Sequence, residues 1–132
     1  MPDLATSPVR LAVRRCTAII VAGLATAVIW VIGRFAHTSY IAVTPLGTRE
    51  VTLLLTVAAT VTAGSAGWLV LAILERYWGD PRRPWIALAV VILALSIVPV
   101  FITPAAISTQ VVLTIQHCVV AAVLIPGLLR RH

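Results

Sequence analysis

The chain has 132 residues, of which 61% are hydrophobic and 11% are charged, and its mean hydropathy is +1.07. A soluble domain usually carries about 25% charged residues, so the composition excludes an ordinary soluble globule. The formal net charge of +6 comes from arginines at the ends of apolar blocks, a placement that favours lipid head groups over nucleic acid. We therefore predict an integral membrane protein whose partner is the lipid bilayer, with no nucleic-acid partner.

The apolar residues fall into four blocks, each about as long as the roughly 20 residues that a helix needs to cross a bilayer. This pattern predicts an all-α fold, an integral membrane four-helix bundle with up-down-up-down order. Pro99 lies inside the third block, where it removes one backbone hydrogen bond and predicts a kinked third helix. The predicted organisation is a disordered tail at 1–9 and a single four-span domain at 10–132, with helices at about 12–34, 49–77, 84–103 and 108–130.

The longest connection, residues 35–49, has a β-like stretch followed by the turn residues Pro45 and Gly47. Its composition fits a short hairpin over the mouth of the bundle and a plain polar loop equally well. Both alternatives stay open at the level of sequence.

Small residues recur along one face of the second helix. Gly64 lies beside this ridge, and small residues of this kind let membrane helices approach closely. Threonine hydroxyls there can bond across the contact or back to the carbonyl one turn earlier. We predict that this face is the main packing seam; its members are Thr56, Thr60, Ala63, Gly64 and Gly67.

The fourth helix has a polar face inside an otherwise apolar span. Gln110, Thr114 and His117 follow each other at i, i+4 and i+7, so they share one side of the helix. An ionisable group at membrane depth normally faces a protein interior or a cavity. We therefore expect the other helices to be arranged around this face.

Counting about 1.5 Å per residue from the helix ends places Ser96 and Thr26 near the depth of His117, close to the middle of the membrane. We predict that His117 bonds to Ser96, to Thr26 or to the Leu95 carbonyl freed by Pro99. One interpretation is a buried hydrogen-bonding group that fixes the fourth helix. The other is a proton-binding or ligand-binding histidine in a small cavity.

The sequence offers no cluster for catalysis or for metal binding. No second histidine, cysteine or carboxylate lies at ligand spacing from His117, so we expect no metal and no cofactor. We assign no catalytic residue, because no nucleophile–base pair or paired carboxylates are visible. Glu75, near the end of the second helix, is expected to form an ion pair with Arg14, Arg82 or Arg83.

The arginines are distributed unequally between the two sides of the predicted bundle. Two of them, Arg34 and Arg49, lie on one side, and eight lie on the side of both termini. The positive-inside rule then predicts a multi-pass protein of the cell membrane with cytoplasmic N- and C-termini. The eight are Arg10, Arg14, Arg15, Arg76, Arg82, Arg83, Arg130 and Arg131.

Two helices carry short motifs at a recognisable order and spacing. They are Gly67-Trp68 and Leu74-Glu75-Arg76 in the second helix, and His117 followed by the run from Val119 to Pro126 in the fourth. In these motifs the chain resembles a family of small four-span proteins from high-GC bacteria, catalogued as domain of unknown function 6069. The resemblance covers about residues 10–131 and implies a four-helix membrane architecture, but it implies no activity and no catalytic residues.

Two functional hypotheses follow from these patterns. The first is a structural or accessory subunit that acts through helix–helix contacts, in a homo-oligomer or with another membrane protein, and the small-residue seam motivates it. The alternative is a small-molecule or proton-handling carrier that uses a mid-membrane cavity at His117. An enzyme is disfavoured.

Overall fold

The computed structural model describes residues 7–129 of the chain. These residues form four helices, and each helix is long and apolar enough to cross a membrane. The all-α membrane four-helix bundle is therefore confirmed. The helices are α1 (Pro8–Phe35), α2 (Leu53–Tyr77), α3 (Arg82–Ile102) and α4 (Ile107–Leu128).

Helix α1 begins at Pro8 rather than near residue 12. The Ser7 hydroxyl accepts a hydrogen bond from the Arg10 backbone amide, and Pro8 suits a first helical turn, where no amide donor is needed. Residues 8 and 9 of the predicted disordered tail are therefore helical. Residues 1–6 of that tail, together with Arg130 and Arg131, lie outside the described residues.

The connection between α1 and α2 contains an antiparallel hairpin of β1 (Ile41–Thr44) and β2 (Gly47–Glu50). Gly47, at φ 113°, supplies the left-handed turn conformation that glycine adopts without strain. Because β2 runs to Glu50, α2 begins at Leu53 rather than near residue 49. The Thr52 hydroxyl caps that start by accepting from the Leu55 amide.

Helices α1 and α4 form the centre of the bundle. Helix α1 packs closely on both α2 and α4, whereas α3 packs mainly on α4 and hardly touches α2. Helix α4 packs on α1, on α3 and, less closely, on α2, so the other helices are arranged around it. A Cβ on Gly127 of α4 would lie 2.7 Å from the Ala18 Cβ. The predicted kink at Pro99 and the up-down-up-down order across a membrane stay predictions.

A buried ion pair holds one end of the bundle, which we call the basic end. Arg15 is 3% exposed; it donates to Glu75 at 2.5 Å and, through Nε, to the Leu128 carbonyl at 2.9 Å. One side chain thus joins α1, α2 and α4. Arg15, a buried residue of α1, was not among the expected partners of Glu75, which were Arg14, Arg82 and Arg83.

An aromatic cluster closes the opposite end, which we call the hairpin end. Tyr40 is fully buried; its ring stacks on Trp30 at 5.3 Å and its hydroxyl donates to the Trp30 carbonyl at 3.0 Å. Burial raises the pKa of the Tyr40 phenol, and the nearby Arg34 guanidinium opposes that rise. Position 33 must be glycine here, because a Cβ would collide with the Tyr40 hydroxyl.

Candidate functional site

A partly open cavity of about 530 Å³ lies between α2 and α3. It exists because these two helices hardly touch each other, while α4 and part of α1 form its floor. We call this cavity the α2–α3 groove. Its lining is mostly apolar and runs along α2 from Leu55 to Val70.

The residues predicted as a packing seam on α2 divide between two surfaces. Gly64 is buried against α1, where an added Cβ would lie 2.9 Å from the Ile19 side chain. Thr56, Ala63 and Gly67 instead line the α2–α3 groove, and Thr60 borders both. Four of the five residues of the predicted seam therefore lie in the wall of a cavity, and only Gly64 is confined to the contact with α1.

The threonine hydroxyls of α2 bond within their own helix. Thr56 donates to the Thr52 carbonyl at 2.8 Å, and Thr60 donates to the Thr56 carbonyl at 3.0 Å. These bonds to the carbonyl one turn earlier satisfy each hydroxyl locally. The threonines therefore add little polarity to the groove wall.

A polar layer connects α1, α2 and α4 halfway along the bundle. The Thr26 hydroxyl donates to the Ala22 carbonyl at 2.9 Å and lies 3.2 Å from the Thr60 hydroxyl. Gln116 donates through Nε2 to the Thr26 carbonyl at 3.3 Å. Sequence analysis did not select Gln116, although an amide inside an apolar span was a signal that it needed partners.

His117 lines the groove but does not make the predicted contacts. Its Nδ1 lies 2.6 Å from the Leu113 carbonyl, one turn earlier in α4. Ser96 donates to the Leu93 carbonyl of its own helix at 2.8 Å. The predicted bond from His117 to Ser96, to Thr26 or to the Leu95 carbonyl is therefore wrong, because backbone carbonyls of the same helix are nearer partners. The structure does bring His117, Ser96 and Thr26 into the lining of one cavity.

Gln110 and Thr114 do not line the groove. The Thr114 hydroxyl donates to the Gln110 carbonyl at 2.8 Å, so the two residues are linked within α4. The stripe of α4 that faces the groove is set by Leu113, His117 and Val120, with Gln116 beside it. The rotation of α4 therefore separates His117 from the other two members of the predicted polar face.

The chemistry of the groove is that of non-covalent binding. Within residues 7–129, no three histidine, cysteine or acidic side chains come close enough together to hold a metal ion. Among the same residues, His117 is the one titratable side chain in the groove lining. The surface combines a long apolar wall with a few hydrogen-bonding side chains.

Four apolar helices around a membrane-depth cavity define a multi-pass integral membrane protein. The chain belongs to the family of unknown function DUF6069, whose model matches residues 6–132 and confirms the resemblance. No similar protein was found among the curated proteins, and no similar fold was found among the solved structures.

Proposed function

We propose that the protein binds a small apolar molecule in the α2–α3 groove, within the membrane. The observation that supports this function is a cavity of about 530 Å³ with a mostly apolar lining and a few polar groups. Ligand cavities typically measure roughly 300–1,000 Å³ and have this kind of lining. The groove opens between two membrane helices, so a ligand dissolved in the lipid has a direct path into it.

The size of the cavity favours a small molecule over a transmembrane helix. A helix about 10 Å wide and about 30 Å long fills roughly 2,400 Å³, which is more than the groove can enclose. A partner helix would therefore lie against the opening and leave the depth of the groove unfilled. Binding also suits the site better than proton transfer, because no carboxylate lies beside His117 in the described lining.

A groove-filling substitution tests the proposal. Ala63→Phe adds a ring to the groove wall, and overfilling a packed site typically costs about 1–3 kcal/mol. We expect it to reduce binding of farnesyl methyl ether by about tenfold, read as the fraction of protein with one adduct in native mass spectrometry. The wild-type chain should carry that adduct on its mass of 14.1 kDa.

Leu69→Phe is the matched control, because Leu69 is an exposed residue of α2 that does not line the groove. It should bind the ether as the wild-type protein does. Equal loss in both variants, or no adduct on the wild-type protein, would contradict binding in the groove.

The second candidate function is an accessory subunit that acts through helix contacts. Ala59, Ala63 and Gly67 recur at four-residue spacing along the wall of the groove, a pattern that lets a second helix approach closely. This function predicts that native spectra of gently extracted protein contain a dimer or a hetero-complex. It also predicts that Ala63→Phe, but not Leu69→Phe, disrupts that complex.

For orientation, we propose that both termini are cytoplasmic. The basic end holds Arg10, Arg14, Arg15, Arg76, Arg82 and Arg83 among the described residues, whereas the hairpin end holds Arg34 and Arg49. The excess at the basic end supports this orientation.

Cysteine labelling tests the orientation. In protein with Cys16 and Cys118 replaced by alanine, Leu46→Cys in the exposed hairpin turn should react with a membrane-impermeant maleimide on intact cells. Gly79→Cys, at the basic end, should react only after the cells are permeabilised. The reverse pattern would overturn the proposed orientation.

A further inference from the structure

We propose that the ligand of the α2–α3 groove is an apolar alcohol, whose hydroxyl group is held by His117 and Gln116. This inference rests on the proposed function and specifies its ligand. It follows from the hydrogen-bonding groups that line the groove, because some of them already have partners and others do not.

The hydroxyl groups that line the groove are already bonded within the protein. Thr56, Thr60 and Ser96 each donate to a carbonyl of their own helix. The Thr26 hydroxyl bonds to the Ala22 carbonyl and lies beside that of Thr60. A hydroxyl has one hydrogen to donate, so these four side chains leave no donor for a ligand.

His117 presents an acceptor to the groove. The Leu113 carbonyl can only accept, so Nδ1 carries the hydrogen in the 2.6 Å contact between them. In the neutral ring, Nε2 is then an acceptor, and it has no hydrogen-bond partner among residues 7–129. This acceptor is therefore available to a donor group on a ligand.

Gln116 lies beside it, 3% exposed, with one amide hydrogen donated to the Thr26 carbonyl. Its Oε1 and its second amide hydrogen have no partner within the described part of the chain. No buried side-chain oxygen or nitrogen of the described residues lacks a partner, so these two groups are accessible and can bond to a polar group in the groove.

A hydroxyl group can bond to both side chains, because it donates one hydrogen bond and accepts another. It can donate to His117 Nε2 or Gln116 Oε1 and accept from the Gln116 amide. An ether or a ketone can only accept and would leave Nε2 without a donor. A carboxylate or an ammonium group would need a counter-charge, and the described lining of the groove holds no arginine, lysine, aspartate or glutamate.

The test is a competition between farnesol and farnesyl methyl ether, which share one apolar chain and differ at the hydroxyl. Both are added in equal amounts to wild-type protein in the same micelles, and the ratio of the two adducts is read from one native mass spectrum. We expect the ratio of farnesol adduct to ether adduct to be about tenfold higher in wild-type protein than in His117→Leu protein. A factor of this size is the effect of one hydrogen bond in an apolar site.

The variants assign the preference to the two side chains. His117→Leu and Gln116→Leu should each lower the preference for farnesol while the ether still binds, and Cys118→Ala, at an exposed position outside the groove, should retain it. Should Gln116→Leu fail to fold because the Thr26 contact is lost, the wild-type and His117→Leu ratios still decide the question.

The outcomes separate this inference from the proposed function. Equal ratios in wild-type and His117→Leu protein, with both probes bound, would overturn the alcohol and leave apolar binding in place. Absence of both adducts would overturn both the alcohol ligand and the proposed binding function. A mass spectrum that shows a dimer without adducts would also overturn both proposals, and it would favour the accessory subunit.

Discussion

Arg15→Ala is expected to lower the free energy of unfolding by about 3–5 kcal/mol, the usual result of breaking a buried ion pair. Arg15 is 3% exposed and bonds to both Glu75 and the Leu128 carbonyl, so its removal withdraws one contact from α2 and another from α4. Unfolding in mixed micelles, followed by circular dichroism, measures the change. Arg15→Lys should recover part of the loss, because the charge remains while the fork of donors is absent.

The exposed pair at the hairpin end is the control for Arg15. Arg34 and Glu50 lie 3.3 Å apart, and their side chains are 48% and 53% exposed. Such pairs typically contribute at most about 1 kcal/mol, so Glu50→Ala should have a small effect. Equal effects of Arg15→Ala and Glu50→Ala would show that the buried pair does not hold the three helices together.

Gly127→Ala is expected to destabilise the bundle by about 1–3 kcal/mol, the typical cost of overpacking. The new Cβ would lie 2.7 Å from the Ala18 Cβ, and both atoms are fixed to their backbones. Rotation of a side chain cannot relieve this contact, so α1 and α4 must move apart. The same unfolding measurement applies.

The second-site variant Ala18→Gly provides a rescue, because it removes the atom that the new methyl group meets. The double variant should be more stable than Gly127→Ala alone, a coupling that a double-mutant cycle measures. Gly79→Ala is the matched control, since a Cβ at that position meets no atom within 4 Å. A neutral Gly127→Ala would mean that α1 and α4 are not in close contact at this point.

The four spans could be predicted because each apolar block is long enough to cross a membrane, a property that needs no knowledge of neighbouring residues. The close packing of α1 on both α2 and α4 could not be predicted in the same way. All four spans are apolar around most of their circumference, so hydrophobic periodicity does not indicate which helices are neighbours. Small residues on α1, such as Ala18, Ala22 and Gly23, were the available signal, and they decide which helices approach closely.

In the candidate site, the position of a side chain along the bundle was easier to predict from the sequence than its hydrogen-bond partner. Counting residues placed Thr26, Ser96 and His117 at one level, and all three line the groove. Their hydrogen bonds differ from the prediction because a carbonyl one turn earlier is always within reach, whereas a partner on another helix depends on packing. The open space between α2 and α3 also depends on packing, and the sequence does not encode it locally.

The most direct test of the binding groove is nuclear magnetic resonance of the protein in lipid nanodiscs with farnesol or its methyl ether. Isotope-edited nuclear Overhauser effects report which methyl groups touch the probe. We predict effects to Ala63 and Leu93, which line the groove, and much weaker ones to Leu69, which is exposed elsewhere on α2. Effects of equal strength at Leu69 and Ala63 would show that the probe behaves as bulk lipid, and this result would contradict a binding site between α2 and α3.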